Sequence, residues 1–251
     1  MDIILPSTTC NRCQKPAHVS EVECEECGLD PICAVLNYSD PDSGVPEGIL
    51  VRRKSVKRGE TLFRKGSPFI SFFAVKSGSF KAFIPHQDQV DQIVGFHLAG
   101  ELIGTEGLAS ERYPYSVRAL ENSSVCELCL ERLPESGRSR DVLQQAVIKL
   151  LGEEVAFGRE LIASLVHQSA EQRIAGFILD IYKRLTRRKM VTGTYLLSMS
   201  RSDIGNYLGL ASETVSRILT KFQKRGLVKL EHKRVTILDF ETMESISRQQ
   251  D

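Results

Sequence analysis

The sequence predicts an α+β chain: a cysteine-rich start, an antiparallel β-barrel or roll, a long helix, and short helices closed by a hairpin. Three observations predict it. Short apolar runs with period-two alternation recur between glycines from about 49 to 133. A single apolar stripe at gaps of three and four follows over residues 138–166. Two short helical patterns then meet at a glycine and lead into a hairpin pattern.

Residues 1–48 read as a cysteine-rich segment and linker. Five of the seven cysteines lie within 1–37, with too few large apolar residues to form a core, so this segment docks elsewhere or is organised by a metal. The run Tyr38–Gly48, with two prolines and two glycines, is linker-like. Arg12 and Lys15 stand against nine acidic residues in 1–48, a net of −7. No stretch has the apolar length to cross a bilayer and no signal pattern opens the chain, so the expectation is a cytoplasmic protein with no membrane association. In that compartment seven cysteines point to metal or redox chemistry over structural disulfides.

Residues 49–137 read as the roll. Phe69–Val75, Phe80–Ile84, Gln92–Leu98 and Ser124–Leu128 are its clearest strands. Residues 138–168 read as one helix whose stripe includes Val147, Leu151, Val155, Gly158 and Ile162. Packing against the roll accounts for part of that stripe. Its length, with Glu153, Glu154 and Glu160 beside it, also makes it a dimer seam.

Residues 169–251 begin with a helix over Ala170–Arg188 that ends in a basic run, suited to a helix C-terminus. After a short strand (Thr194–Met199), Ser200 is placed to cap a helix over Arg201–Leu208, and Gly209 breaks it. A second helix covers Ser212–Lys224, and Leu227–Leu230 with Arg234–Leu238 form a hairpin. This is a winged helix-turn-helix pattern. Residues 201–238 carry eight Lys/Arg against three acids, a net of +5, where a polyanion would bind. In such a unit the second helix enters the major groove of double-stranded DNA N-terminus first. Glu213, Ser216 and Arg217 share its leading face: Arg can donate twice to guanine, Glu can accept from cytosine, Ser can do either. Lys221, Lys224 and Arg225 sit where phosphates would be.

The cysteines allow several chemistries. Cys24, Cys27 and Cys33 have C-x2-C-x5-C spacing, and Cys126 lies far along the chain. Four thiolates suit zinc or an iron–sulfur cluster equally. Cys10–Cys13 with Cys24–Cys27 is a respectable zinc spacing that leaves Cys33 and Cys126 without a role. Of Cys126 and Cys129, three apart in a strand, only one can easily face an N-terminal site. Thiol–disulfide switching is the third option. A redox enzyme or electron carrier would not explain the basic winged unit, and neither a catalytic triad nor a Gly-rich phosphate loop is present, so no enzyme activity is expected.

Roll, long helix and winged unit in this order resemble the CRP/FNR family of bacterial transcription regulators over about 20–240, most closely its oxygen-responsive FNR branch. The likeness is carried by Gly95-Phe-His-Leu-Ala-Gly-Glu-Leu102, Ala119-Leu-Glu-Asn-Ser-Ser-Val-Cys126, and Asp203-Ile-Gly-Asn-Tyr-Leu-Gly-Leu210 with Glu213-Thr-Val-Ser-Arg217. It implies a cyclic-nucleotide-binding-like roll and a [4Fe–4S] cluster on Cys24, Cys27, Cys33 and Cys126; zinc stays the alternative metal on spacing alone. It implies homodimers that use Glu213, Ser216 and Arg217 to read TTGAT-like inverted repeats, and RNA polymerase as a partner. Two departures stand out. Gly158 occupies the place where the branch commonly carries an acidic residue opposing dimerisation, and the loop near Pro85–Asp91 matches the polymerase-contacting loop poorly. The cyclic-nucleotide branch follows its Gly-Glu-Leu run with Arg and a small hydroxyl residue. Here Arg112 precedes Tyr113-Pro-Tyr115, whose bulk argues against a cyclic nucleotide.

Overall fold

A computed structural model describes residues 21–23, 26–27, 51–87, 90–129, 138–191 and 193–248. The roll is made of two four-stranded antiparallel sheets. In chain order its strands are β1 (Val51–Val56), β2 (Thr61–Phe63), β3 (Ser71–Ser77), β4 (Ser79–Ile84), β5 (Gln92–Leu98), β6 (Leu102–Ile103), β7 (Ser116–Ala119) and β8 (Ser123–Cys129). The sheets run β1-β8-β3-β6 and β2-β7-β4-β5. Between them lies an apolar core that includes Phe63, Phe73, Val75, Phe80, Val117 and Val125.

The β4–β5 hairpin has two faces with different neighbours. Phe80 and Ala82 point into the roll, as the alternation requires. Ser79, Lys81 and Phe83 point out, and their partners in register are Leu98, Phe96 and Ile93. The register shifts between Ala82 and Phe83, a bulge that keeps Ile93 on the face of Phe96 and Leu98. That outward face is apolar because the C-terminal unit covers it. Phe83, Ile93, Phe96 and Leu98 belong to one core with Ile174, Phe177 and Tyr207. Phe96 meets the rings of Tyr207 and Phe177 edge-on at 5.1 and 5.9 Å. Each such side chain removed from water contributes roughly 1.5–3 kcal/mol.

Helix α1 (Arg138–His167) follows the roll. Helix α2 (Ala170–Arg187) starts at a capping box between Ser169 and Gln172 and buries Ile174, Ile178 and Ile181. Helices α3 (Arg201–Leu208) and α4 (Ser212–Lys224) make the helix-turn-helix. Ser200 caps α3 as its position predicts: its hydroxyl accepts from the Asp203 N–H, and Asp203 accepts from the Ser200 N–H, both at 3.0 Å. Gly209 ends α3 at φ 66, in the left-handed region. Gly205 serves a different purpose, since a Cβ there would stand 2.5 Å from the Leu210 carbonyl oxygen, so the close turn between the helices needs glycine.

The wing is a three-stranded sheet in the order β10 (Val228–Glu231), β11 (Arg234–Ile237), β9 (Thr194–Leu196). A further helix, α5 (Phe240–Arg248), packs Met243 and Ile246 beneath α2. No helix among the described residues is long and apolar enough to cross a membrane.

Candidate nucleic-acid interface

On α4 the apolar spacing sends Val215, Ile218, Leu219 and Phe222 into the C-terminal core, each at most 7% exposed. The opposite face carries Glu213, Ser216 and Arg217, all exposed. Ser212 Oγ donates to Glu213 Oε1 at 3.0 Å, and Ser216 Oγ donates to the Ser212 carbonyl at 2.9 Å. The helix's own N–H and the Ser212 hydroxyl hold the Glu213 carboxyl below its ordinary range. It is therefore a carboxylate at neutral pH and can only accept, the property a cytosine amino group requires. Ser212 is thus the partner that orients Glu213, a role its place beside Glu213 at the helix start hints at only weakly in the sequence.

Two of the three predicted phosphate-facing cations are engaged within the protein. Glu171, in the first turn of α2, pairs with Lys221 at 2.6 Å and Arg225 at 3.3 Å. Lys224 is exposed and makes no ion pair among the described residues. No sequence signal links Glu171 to α4.

The helix-turn-helix is anchored to the roll by polar contacts around its apolar seam. Lys81 Nζ lies 2.6 Å from Asp203 Oδ1, and Ser79 Oγ lies 2.5 Å from Ser198 Oγ. Asn206 accepts from the Ile93 N–H at 2.7 Å and donates to the Asp91 carbonyl at 3.0 Å. Burial opposes ionisation of Asp203, but the bonds from Lys81 and Ser200 outweigh it and hold the carboxyl below its ordinary range. Deeper in, Arg184 of α2 grips Glu101, Asp180 and the Phe96 carbonyl together. Burial raises the Glu101 carboxyl and Arg184 more than reverses it, leaving Glu101 low, whereas burial wins at Asp180 and leaves it raised. His97 faces the roll interior, opposite Phe80 in register, and burial lowers its pKa against the pull of Glu101 and Glu106.

Cys126 lies on β8 between Arg53 of β1 and Ala74 of β3, so the three share a sheet face. Arg53 forms an ion pair with Glu21 of the N-terminal segment, across that face. Cys27 is half-buried against the roll core. Cys24 and Cys33 lie outside the described residues. No group of three or more His, Cys, Asp or Glu able to hold a metal occurs among the described residues. On α1, Val155 and Ile162 are 54% and 63% exposed, with Ile148 and Val166 also exposed on the helix. Leu151 and Gly158 are half-buried, and the Val147 side chain lies outside the described ones. In the roll Tyr113 and Tyr115 are buried. Tyr113 stacks on Phe63 at 3.7 Å, Tyr115 donates to Glu106 at 2.5 Å, and Arg112 turns to the Gly66 carbonyl at the surface.

Residues 53–135 match the cyclic nucleotide-binding domain family and residues 172–246 the Crp-like helix-turn-helix domain family. The transcriptional activator protein Anr of Pseudomonas aeruginosa is 41% identical over 219 residues, 87% of this chain and 90% of that one. The chain belongs to the CRP/FNR family of transcription regulators. The fumarate and nitrate reduction regulatory protein of Escherichia coli K12 is 34% identical over 216 residues, 86% of each chain. The fold of this CRP/FNR regulator is also that of FixK2 from Bradyrhizobium japonicum, with a TM-score of 0.72 over 81% of this chain and 100% of that one, at 24% identity. It is accordingly a DNA-binding regulator.

Proposed function

We propose that the chain is an oxygen-responsive transcription activator of the cytoplasm that binds TTGAT-like inverted repeats as a homodimer and works with RNA polymerase. The observation that carries the DNA reading is the two-sided α4: four buried apolar residues fix the helix, and Glu213, Ser216 and Arg217 are held outward. In the groove, Arg217 would donate to guanine and the Glu213 carboxylate would accept from cytosine. The exposed Val155 and Ile162, one heptad apart and flanking Gly158, support α1 as the seam, with Val147 and Leu151 continuing it. Two copies related by that seam would present two α4 helices to successive major grooves, which is what an inverted repeat requires.

For the sensor, thiolates are the soft donors that an iron–sulfur cluster needs, and Cys27 and Cys126 both border the roll. Cys24, Cys27, Cys33 and Cys126 would hold a [4Fe–4S] cluster, which supplies an oxygen-labile centre. Cys126 would tie the acidic N-terminal segment to β8, and Arg53 beside it supports that tie through Glu21. Tyr113 and Tyr115 occupy the roll interior, which favours a sulfur-based signal over a cyclic nucleotide.

Anaerobic purification followed by iron, sulfide and zinc analysis, with a visible spectrum before and after air, tests the sensor. Iron and sulfide in equal amounts with an air-bleached absorption are expected. Zinc without sulfide would replace the cluster by a zinc staple, and neither metal would leave a thiol switch. Cys126→Ala should lose the cluster.

A further inference from the structure

The segment that carries Cys27 is fastened on two sides. Toward the roll, Val22 is fully buried in the same core as Val56 and Phe73. Its N–H donates to the Lys76 carbonyl at 3.0 Å, and Lys76 Nζ donates back to the Val22 carbonyl. Glu21 bridges to Ser77 and pairs with Arg53. Toward the DNA-binding unit, Arg188 Nη1 donates to the Glu26 carbonyl at 2.8 Å, and Lys189 Nζ pairs with the Glu26 carboxylate. Arg188 and Lys189 directly follow α2, and Lys189 turns the chain at φ 53. The stem of Arg188 lies so close over Gly100 that a Cβ there would stand 2.9 Å from its Cδ. Met190 and Cys27 both pack on the roll core.

We propose that this segment is a strap between the sensor roll and α2, through which a chemical change at the Cys27 sulfur reaches the DNA-binding unit without passing along the α1 seam. The inference rests on Cys27 being part of the sensor centre. Its physical basis is one peptide bond. The carbonyl that Arg188 grips belongs to the Glu26–Cys27 peptide, whose six atoms are coplanar and move together with the Cys27 Cα. A shift of Cys27 therefore swings that oxygen toward or away from Arg188. From there α2 is a rigid rod to Glu171, which holds Lys221 and Arg225 of α4. The route also bypasses Gly158, where a charge-based dimer switch would need an acid. Of the two contacts Arg188 carries more, because Lys189 is largely solvent-exposed and its ion pair is screened.

Hydrogen–deuterium exchange on the full-length, anaerobically purified protein tests this, reading peptides that cover residues 185–191. Arg188→Ala should raise their exchange about two- to fivefold with iron content unchanged. Cys27→Ser should give the same rise, and should still do so in an Ile162→Glu background that cannot dimerise. The neighbouring Arg187→Ala should leave exchange of peptides covering 21–27 as in the parent, whereas Arg188→Ala should raise it. Unchanged exchange at 185–191 in Arg188→Ala, or in a Cys27→Ser protein that has lost its iron, overturns the strap. Full retention of iron and sulfide by Cys27→Ser would instead remove Cys27 from the sensor centre, and Arg188→Ala would still decide whether the strap exists.

Discussion

Arg184 grips Glu101 through two parallel bonds, Nε to Oε1 at 2.7 Å and Nη2 to Oε2 at 2.5 Å, where α2 of the DNA-binding unit meets the turn after β5. Both side chains are under a fifth exposed, so little water is left to solvate either charge alone. Arg184→Met should therefore cost about 3–5 kcal/mol in urea unfolding, because it strands the Glu101 carboxylate. The double change Arg184→Met with Glu101→Leu should recover most of that loss. A double variant whose loss equals the sum of the two single losses would show that the pair is not coupled.

Acid should loosen the protein in two stages. His97 has its pKa lowered by burial, so the unfolded chain takes up the proton first. Its contribution is complete above the ordinary imidazole value near 6.5 and is lost as pH falls from there toward the lowered value. Glu101 and Asp203 are held low, so their contribution persists until the ordinary carboxylate range and is lost below it. Asp180, raised by burial, works in the opposite sense and partly offsets them. The urea midpoint measured against pH should thus begin to fall near pH 6.5, and His97→Gln should abolish that first stage only. A parent midpoint that is flat until the carboxylate range would contradict the assignment to His97.

Base reading and phosphate holding should separate by mutation. Arg217→Ala should relax preference at one base pair of a duplex carrying the inverted repeat, at a cost of about 1–3 kcal/mol for the preferred sequence. Lys224→Ala should weaken all sequences alike and reduce the salt slope by about one. Glu171→Gln should act in reverse, steepening the salt dependence by releasing Lys221 and Arg225 from their ion pairs. Binding-site selection that is indifferent to both Glu213 and Arg217 would sink the α4 assignment.

Gly158 offers a direct probe of the proposed dimer seam. A Cβ there meets nothing within 4 Å in the single chain, so Gly158→Ala should stabilise an unpartnered helix by about 1 kcal/mol. Gly158→Asp, by contrast, should shift sedimentation toward monomer by placing like charges across the interface. Val155→Glu and Ile162→Glu should do so more completely. A dimer untouched by all three acidic changes would place the seam elsewhere.

Much of this architecture is legible in the chain because it depends on local rules. Ser200 and Asp203 announce a capping box three residues apart, Gly209 announces a left-handed cap, and Val215, Ile218, Leu219 and Phe222 repeat at helical spacing. Helix α5 is not legible there because Phe240, Met243 and Ile246 are its only periodic apolar residues, too short a run for a stripe. Its start rests on Asp239, whose carboxylate accepts from the Thr242 N–H at 2.9 Å, a cue that carries weight only beside a recognisable helix.

The sequence by itself determined the order of the units, the two-sided recognition helix and the cysteine spacing, since each is written in residues a few positions apart. Tertiary structure alone decided how the units are joined. Nothing in the chain says that Lys81 will meet Asp203, that Glu101 will be held by Arg184, or that the Glu26–Cys27 peptide will bond to Arg188. Nor does strand periodicity distinguish an outward face bound for water from one that a second unit covers, as Phe83 and Phe96 are covered here. The reason is physical. Capping and amphipathic spacing are set by backbone geometry within one or two turns, whereas long-range charge pairing and shared cores depend on which surfaces the folded chain brings together.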